Sequence, residues 1–220
     1  MTAPLLSLNN LGREIEGRWL FRNVRIDIYP RDTIAFQGAT GSGKSQLLRV
    51  IVGLETPSEG EILWNNKAIS LSEIPRFRAN CLYVSQTPGI FAGTVWDNLR
   101  KPYQWKQYEA KSFLRPTMED RFKQLGKPPE FFNQKAVNLS GGEKQMVALS
   151  RAIFLNPDFL LLDEPTSAMD PQTALLFEQW LLEWASTTGS GFLWISHSPE
   201  QAARIAKRQW RLEGGKLLES

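Results

Sequence analysis

The residues best suited to chemistry stand in one run: Gly38, Ala39, Thr40, Gly41, Ser42, Gly43, Lys44 and Ser45. Glycines at this density let the backbone curl until successive N–H groups point inward at an oxyanion. A helix beginning near Lys44 adds its positive N-terminal end. The Lys44 ammonium would then reach the terminal phosphates of a nucleotide as a point charge, and the Ser45 hydroxyl would ligate Mg²⁺. An ordinary glycine turn is the plainer alternative, and the flanks argue against it. The apolar stretch Thr33 to Gln37 reads as a strand before the run, and Gln46 to Val52 reads as an amphipathic helix after it. Strand, glycine loop, helix is the setting that a phosphate-binding loop needs.

Three further groups could act on what such a loop holds. Phe159 to Leu162 is a run of bulky apolar residues, the mark of a central parallel strand buried on both faces. Asp163 and Glu164 therefore fall at its carboxyl end, where open α/β sheets bind ligands. Asp163 suits the Mg²⁺ shell, usually through water. Glu164 is placed to polarise a water for in-line attack on a γ-phosphate. His197, the only histidine, follows the apolar strand Gly191 to Ser196 and belongs to the same sheet edge. Gln86 also closes a short strand, and its amide oxygen would complete the Mg²⁺ shell and help place the water. Ser140 and Glu143 have the spacing of a capping box at the start of an amphipathic helix. Gly141 and Gly142 inside that first turn are each unfavourable by roughly 1 kcal/mol relative to Ala. That cost makes sense where backbone must approach an anion closely.

Elements must hold these groups in place. Leu5 to Leu11 and Trp19 to Tyr29 read as strands, and the alternation from Val24 to Tyr29 predicts a sheet with one wet face. Pro30, Arg31 and Asp32 turn the chain into the strand before the glycine loop. Glu61 to Trp64 and Lys67 to Ile69 form a hairpin around Asn65 and Asn66. Asn80 to Val84 is a short strand ending near Gln86. From Thr87 to about Phe132 strand runs vanish. Helical segments near Thr94 to Leu99 and Pro116 to Leu125, punctuated by Pro and Gly, read as an insert within an α/β domain. The expectation is one domain over 1–220. Its core and an antiparallel β-subdomain would take about 1–86 and 156–220, with a helical subdomain over about 87–155.

Composition narrows the setting. A chain of 220 residues buries about 70–75% of its unfolded surface and needs no disulfide framework. Cys81 is the only cysteine, so no intramolecular disulfide forms and a reducing compartment is expected. A net charge of +3 with dispersed Lys and Arg predicts no nucleic-acid partner. No apolar run approaches the roughly 18–20 residues that span a bilayer. Met1 to Ser7 has neither a basic region nor a long apolar one, so no leader is expected. Any membrane role would come through a partner.

In this order, from Leu5 to about Gly214, the residues resemble the nucleotide-binding subunits of ABC transporters. Gly38 to Ser45 matches the Walker A loop, Gln86 the Q-loop and Leu139 to Glu143 the signature. Leu160 to Glu164 matches the Walker B strand, Ser167 to Asp170 the D-loop, and His197 the switch histidine. The signature is the specific one, since many P-loop enzymes share the rest. The resemblance implies an α/β fold of ABC ATPase type: a P-loop NTPase core with a RecA-like parallel sheet flanked by helices, an antiparallel β-subdomain and an α-helical subdomain. It implies ATP and Mg²⁺, the metal held by Ser45, Gln86 and Asp163. It implies Glu164 as general base, with His197 and Gln86 arranging phosphate and water. It also implies a head-to-tail homodimer in which Ser140, Gly141 and Gly142 close on the partner's nucleotide, with Asp170 at the same seam. A separate multi-span permease would hold the pair on the inner face of the cell membrane, in the cytoplasm.

Two departures matter. The family stacks adenine on an aromatic residue that by strand register falls near Arg13 to Ile15, where none exists. Either Arg13 stacks its guanidinium on the base or Trp19 reaches it. Gln46 replaces a frequent Thr and would contact the α-phosphate differently. The stretch Tyr83 to Leu99 is similar to export-type cassettes, and the compact insert looks most like the small FetA/YbbL-type ATPases linked to iron or other metal efflux. Phe91, Trp96, Tyr103, Trp105 and Tyr108 sit where the family docks its permease, or else simply pack the insert. The rival classes are a soluble ABC ATPase of DNA repair or translation and an ATP-gated binding module. The first normally carries a coiled-coil insertion, zinc modules or a second cassette; the second often lacks a base such as Glu164.

Overall fold

The structure is a computed structural model that describes residues 3–219, so Met1 and Thr2 of the leader reading lie outside the described residues. The order begins β1 (Leu6–Ile15), β2 (Arg18–Ile28), β3 (Thr33–Gly38), α1 (Lys44–Ile51), β4 (Glu59–Trp64), β5 (Lys67–Ala68), α2 (Ile74–Asn80) and β6 (Cys81–Val84). It continues through α3 (Val95–Arg100), α4 (Arg115–Gln124), α5 (Gly141–Phe154), β7 (Phe159–Asp163), α6 (Pro171–Thr188), β8 (Gly191–Ile195), α7 (Pro199–Ile205), β9 (Arg208–Glu213) and β10 (Lys216–Glu219).

Two sheets result. The antiparallel one has the order β2-β1-β4-β5. Its β4–β5 hairpin turns on Asn65 and Asn66 at φ 51° and 61°, the left-handed pair that a two-residue turn demands and that Asn tolerates. β1 runs on to Ile15, past the expected end at Leu11, because register shifts between Leu8 and Glu14 carry its pairing with β2 around irregularities. The second sheet has the order β10-β9-β3-β8-β7-β6, with β6, β7, β8, β3 and β9 parallel and β10 antiparallel at the edge.

β7 lies inside the second sheet and is buried along its whole length. The period of two decides what each residue meets. Phe159 and Leu161 join a core with Leu47, Leu48 and Ile51 of α1, and Leu160 and Leu162 join a core with Val147 and Leu149 of α5 and Phe177 and Leu181 of α6. A fully buried Leu of this kind is worth about 1.5–3 kcal/mol relative to exposure.

Between β6 and β7 the only strand-like pairing among the described residues is the bridge Thr94–Lys135. α3 begins at a capping box, Thr94 with Asp97, and α4 follows with its Pro in the first turn. α2, which the sequence reading leaves unassigned, covers only seven residues and has Pro75 in its first turn. A helix so short has too few turns for an apolar period to stand out.

Candidate active site at the carboxyl edge of the parallel sheet

The parallel strands end together, so the segments that follow β3, β6, β7 and β8 share one edge. β3 delivers Gly38 and α1 starts at Lys44. Gly38 has φ +148°, and a Cβ there would stand 2.7 Å from the Leu212 carbonyl oxygen of β9. Only glycine brings the loop this close to the sheet. Ala39, Thr40 and Gly41 form the exposed tip, while Ser42 and Gly43 are half-buried. Lys44 is buried and its ammonium donates to the carbonyls of Gly38 and Ala39, each at 2.9 Å. Burial pulls its pKa below the ordinary lysine value, an effect that the nearby Glu164 and Asp163 carboxylates oppose.

Asp163 is 3% exposed, and its two oxygens have separate partners. The Ser45 hydroxyl donates to Oδ1 at 3.0 Å, and the Tyr83 hydroxyl donates to Oδ2 at 2.9 Å. Glu164 stands in the left-handed region at φ +48°. A non-glycine residue held there costs of order 1–3 kcal/mol, a strain met most often at working sites. Its carboxylate is bracketed: the Gln86 amide nitrogen donates to Oε2 at 2.9 Å, and His197 Nε2 lies 2.6 Å from Oε1. The loop, Asp163, Glu164, Gln86 and His197 therefore meet at one edge.

A nucleotide phosphate with Mg²⁺ fits what is present. The loop offers a buried ammonium, a backbone cradle that a Cβ at Gly38 would fill, and the Ser42 hydroxyl, buried with no hydrogen-bond partner. Gln46 Oε1, in the first turn of α1, is likewise buried and unpartnered. Ser45 and Asp163 form an all-oxygen pair, the donor chemistry that Mg²⁺ takes.

Several expected residues are placed elsewhere. Ser140 and Glu143 complete the capping box on α5, Ser140 Oγ accepting from the Glu143 amide at 3.2 Å and Glu143 Oε2 accepting from the Ser140 amide at 2.9 Å. Ser140 and Gly141 face solvent, and Gly142 packs so tightly that a Cβ would meet the Ala168 carbonyl oxygen at 2.5 Å. Among the described residues no hydrogen bond joins Ser140, Gly141 or Gly142 to the chain's own phosphate loop. Asp170 is committed to α6: Oδ1 accepts from the Thr173 amide at 2.9 Å and Oδ2 from the Thr173 hydroxyl at 2.7 Å, which holds its pKa below the usual carboxylate range. Asp170 is thus the N-cap of α6. Gln86, expected at the metal, instead gives its amide nitrogen to Glu164.

The two adenine candidates, Arg13 and Trp19, have partners of their own. Arg13 donates to the Thr56 carbonyl at 2.6 Å and pairs with Glu55 at 2.9 Å, beyond the carboxyl end of α1. α1 starts at the phosphate loop and is eight residues long, so that end lies about 12 Å from the loop. Trp19 packs over Gly12 with the Arg22 guanidinium 4.3 Å from its ring centre. Leu20 and Leu212 stand next to Gly43 of the loop.

Two residues that the sequence reading passed over join the site. Tyr83 holds Asp163. Gln145, 4% exposed on α5, donates to the Gln86 carbonyl at 3.1 Å and the Ser167 hydroxyl at 3.0 Å, and its Oε1 accepts from the Ala168 amide at 2.9 Å. The signal for Tyr83 was its place in β6, the parallel neighbour of β7.

The aromatics divide. Trp96 stacks on Phe132 at 4.2 Å and Tyr103 donates to the Phe154 carbonyl, so both pack the helical region. Phe91, Trp105 and Tyr108 line a groove of about 180 Å³ with Arg151. No helix among the described residues is long and apolar enough to cross a membrane.

Comparison with known proteins agrees with this geometry. The family model described as ABC transporter matches residues 21–167. The ABC transporter ATP-binding protein YjkB of Bacillus subtilis (strain 168) is 33% identical over 200 residues, covering 91% of this chain and 78% of YjkB. The "Probable iron export ATP-binding protein FetA" of Escherichia coli (strain K12) is 29% identical over 199 residues, 90% of this chain and 87% of FetA. Among solved structures, the ATP-binding cassette MJ0796, a dimer in a post-hydrolysis state bound to ADP and Pi, superposes with a TM-score of 0.84 at 26% identity over 98% of this chain and 97% of that one. The chain belongs to the ABC transporter family, as an α/β ATP-binding cassette that hydrolyses ATP.

Proposed function

We propose that two copies of this chain close head to tail on two ATP molecules and that the closing and opening drive a separate multi-span permease. The observation that carries this reading is the bracketing of Glu164 by Gln86 and His197 at the edge that also holds Lys44, Ser45 and Asp163. Glu164 Oε1 takes the proton of the attacking water, and His197 keeps the carboxylate and the γ-phosphate in register. Lys44 leaves the carbonyls of Gly38 and Ala39 for the phosphates, and the amides from Ala39 to Ser45 cradle them. Ser45, Asp163 and Gln86 would hold Mg²⁺, which would supply positive charge to the phosphate oxygens. Ser140 and Gly141, exposed at the start of α5, with Gly142 beside them, present a capped helix end to the partner's nucleotide.

On this reading residues 1–220 form one ABC ATPase unit whose core, about 1–86 and 156–220, carries the helical part, about 87–155. It works in the cytoplasm on the inner face of the cell membrane, docked to its permease through the groove of Phe91, Trp105 and Tyr108. The likeness to FetA and the export-type stretch Tyr83 to Leu99 favour efflux, with iron or another metal as cargo.

Glu164→Gln tests the chemistry. Steady-state turnover is expected to fall on the order of 10²- to 10⁴-fold while calorimetry still finds ATP binding. Hydrolysis at the parent rate would remove Glu164 as base.

A further inference from the structure

We propose that Tyr83 is a positioning residue for Asp163: its hydroxyl sets the direction in which that carboxylate faces, and so the metal affinity of the site. The inference rests on the reading of Ser45 and Asp163 as the pair that holds Mg²⁺.

The argument begins with the register of two parallel strands. Tyr83 of β6 stands opposite Leu161 of β7. Alternation then puts Tyr83, Leu161 and Asp163 on one face of the sheet. That is the face α1 covers, since Leu161 and Tyr83 pack in the same core as Leu47, Leu48 and Ile51. α1 also carries Ser45 in its first turn. Ser45 donates to Asp163 Oδ1 at 3.0 Å, and the Tyr83 hydroxyl donates to Asp163 Oδ2 at 2.9 Å. A single carboxylate is thus held at both oxygens, from α1 by Ser45 and from β6 by Tyr83.

Burial gives this arrangement its force. Asp163 is 3% exposed, so water has little access with which to replace a lost partner. A buried carboxylate oxygen left without a donor bears the full cost of its desolvation. With Oδ2 held by Tyr83, rotation about the last side-chain bond is blocked and Oδ1 stays against the Ser45 hydroxyl. A metal held by that pair meets a set of oxygens already in place. Partners that orient a metal's ligands in this way typically change metal affinity 10- to 100-fold when removed. The hydrogen bond of the Tyr83 hydroxyl is to Asp163, and through that carboxylate it acts. Phenylalanine would keep the ring against Leu161 and α1 and remove only the donor.

The test is calorimetric titration of the full chain with ADP, in EDTA and again in excess Mg²⁺; the ratio of the two affinities is the gain the metal confers. Mn²⁺ in place of Mg²⁺ reports the same site by electron paramagnetic resonance. Tyr83→Phe is expected to bind ADP in EDTA within about twofold of the parent and to lose on the order of 10-fold of the metal-conferred gain, with a broadened Mn²⁺ spectrum. An unchanged gain overturns the proposal. So does an equal loss of ADP affinity with and without metal, which a merely structural role would produce. Should Tyr83→Phe not fold, Tyr83→Met removes the same hydroxyl from another apolar side chain and is read by the same ratio, an unchanged value again overturning the inference. A parent protein that gains nothing from metal would instead remove Ser45 and Asp163 as the metal pair, and the role of Tyr83 with them.

Discussion

Lys44 is buried and Glu164 stands at a left-handed φ, and both arrangements cost free energy. The ammonium is buried against two carbonyls, and burial has lowered its pKa. Lys44→Ala removes that charge from the phosphate loop, and ATP affinity measured by calorimetry is expected to drop at least about 10-fold, since a buried charge-assisted contact is worth about 1.5–3 kcal/mol. Arg13 makes the opposite case. Its partners are Glu55 and the Thr56 carbonyl, so Arg13→Ala is expected to leave ATP affinity within about twofold of the parent in the same titration. The half-exposed ion pair it loses is worth about 0–1 kcal/mol, a small change in thermal midpoint. A large loss of affinity would return Arg13 to the base. Two alternatives stood open for the adenine in the sequence, and neither the alternation of β1 nor its composition could choose between them. The register shifts between Leu8 and Glu14 decide which way Arg13 faces.

At the scale of elements, α5 is the joint on which the site turns. Its first turn is closed by the Ser140–Glu143 capping box, and its next turn sends Gln145 to the segments of Gln86 and Ala168. Ser140→Ala is expected to cost about 1 kcal/mol of stability, read from denaturant midpoints. Gly142→Ala is more severe. A Cβ would meet the Ala168 carbonyl at 2.5 Å, so α5 must move off the segment after Glu164; overpacking of this kind costs about 1–3 kcal/mol, and turnover should fall with it. Glu143 adds a pH dependence. Lys127 above all holds its carboxyl below the ordinary value; burial opposes it, and the Ser140 amide and hydroxyl add to the lowering. A depressed carboxylate stabilises the fold fully above its unfolded pKa, about 4.3, and loses that contribution as pH falls through the lower folded value. Melting curves of the parent and Glu143→Gln are expected to differ above pH 5 and to converge on acidification.

At the scale of the whole molecule, the proposed head-to-tail pair would bring the exposed end of α5 and a partner's phosphate loop onto one nucleotide. A Glu164→Gln chain with saturating Mg-ATP is expected to sediment at twice the monomer mass, and to return to monomer when nucleotide is removed. Persistence as a monomer at high concentration and in the permease's company would remove the head-to-tail arrangement. The length of this chain in residues, its strand-loop-helix order and its apolar runs were enough to specify the α/β class, the phosphate loop and the carboxylates after β7. Each of those is local: a glycine spacing, a run of buried residues, a cap three residues from its partner. What folding alone decided is non-local. The Tyr83 hydroxyl on Asp163, the Gln145 amide between three segments and Arg13 on Glu55 all depend on which strands pair, in which register, and on which face a helix lands. Contacts between residues 80 apart in the chain, as Tyr83 and Asp163 are, leave no periodicity for a sequence to display.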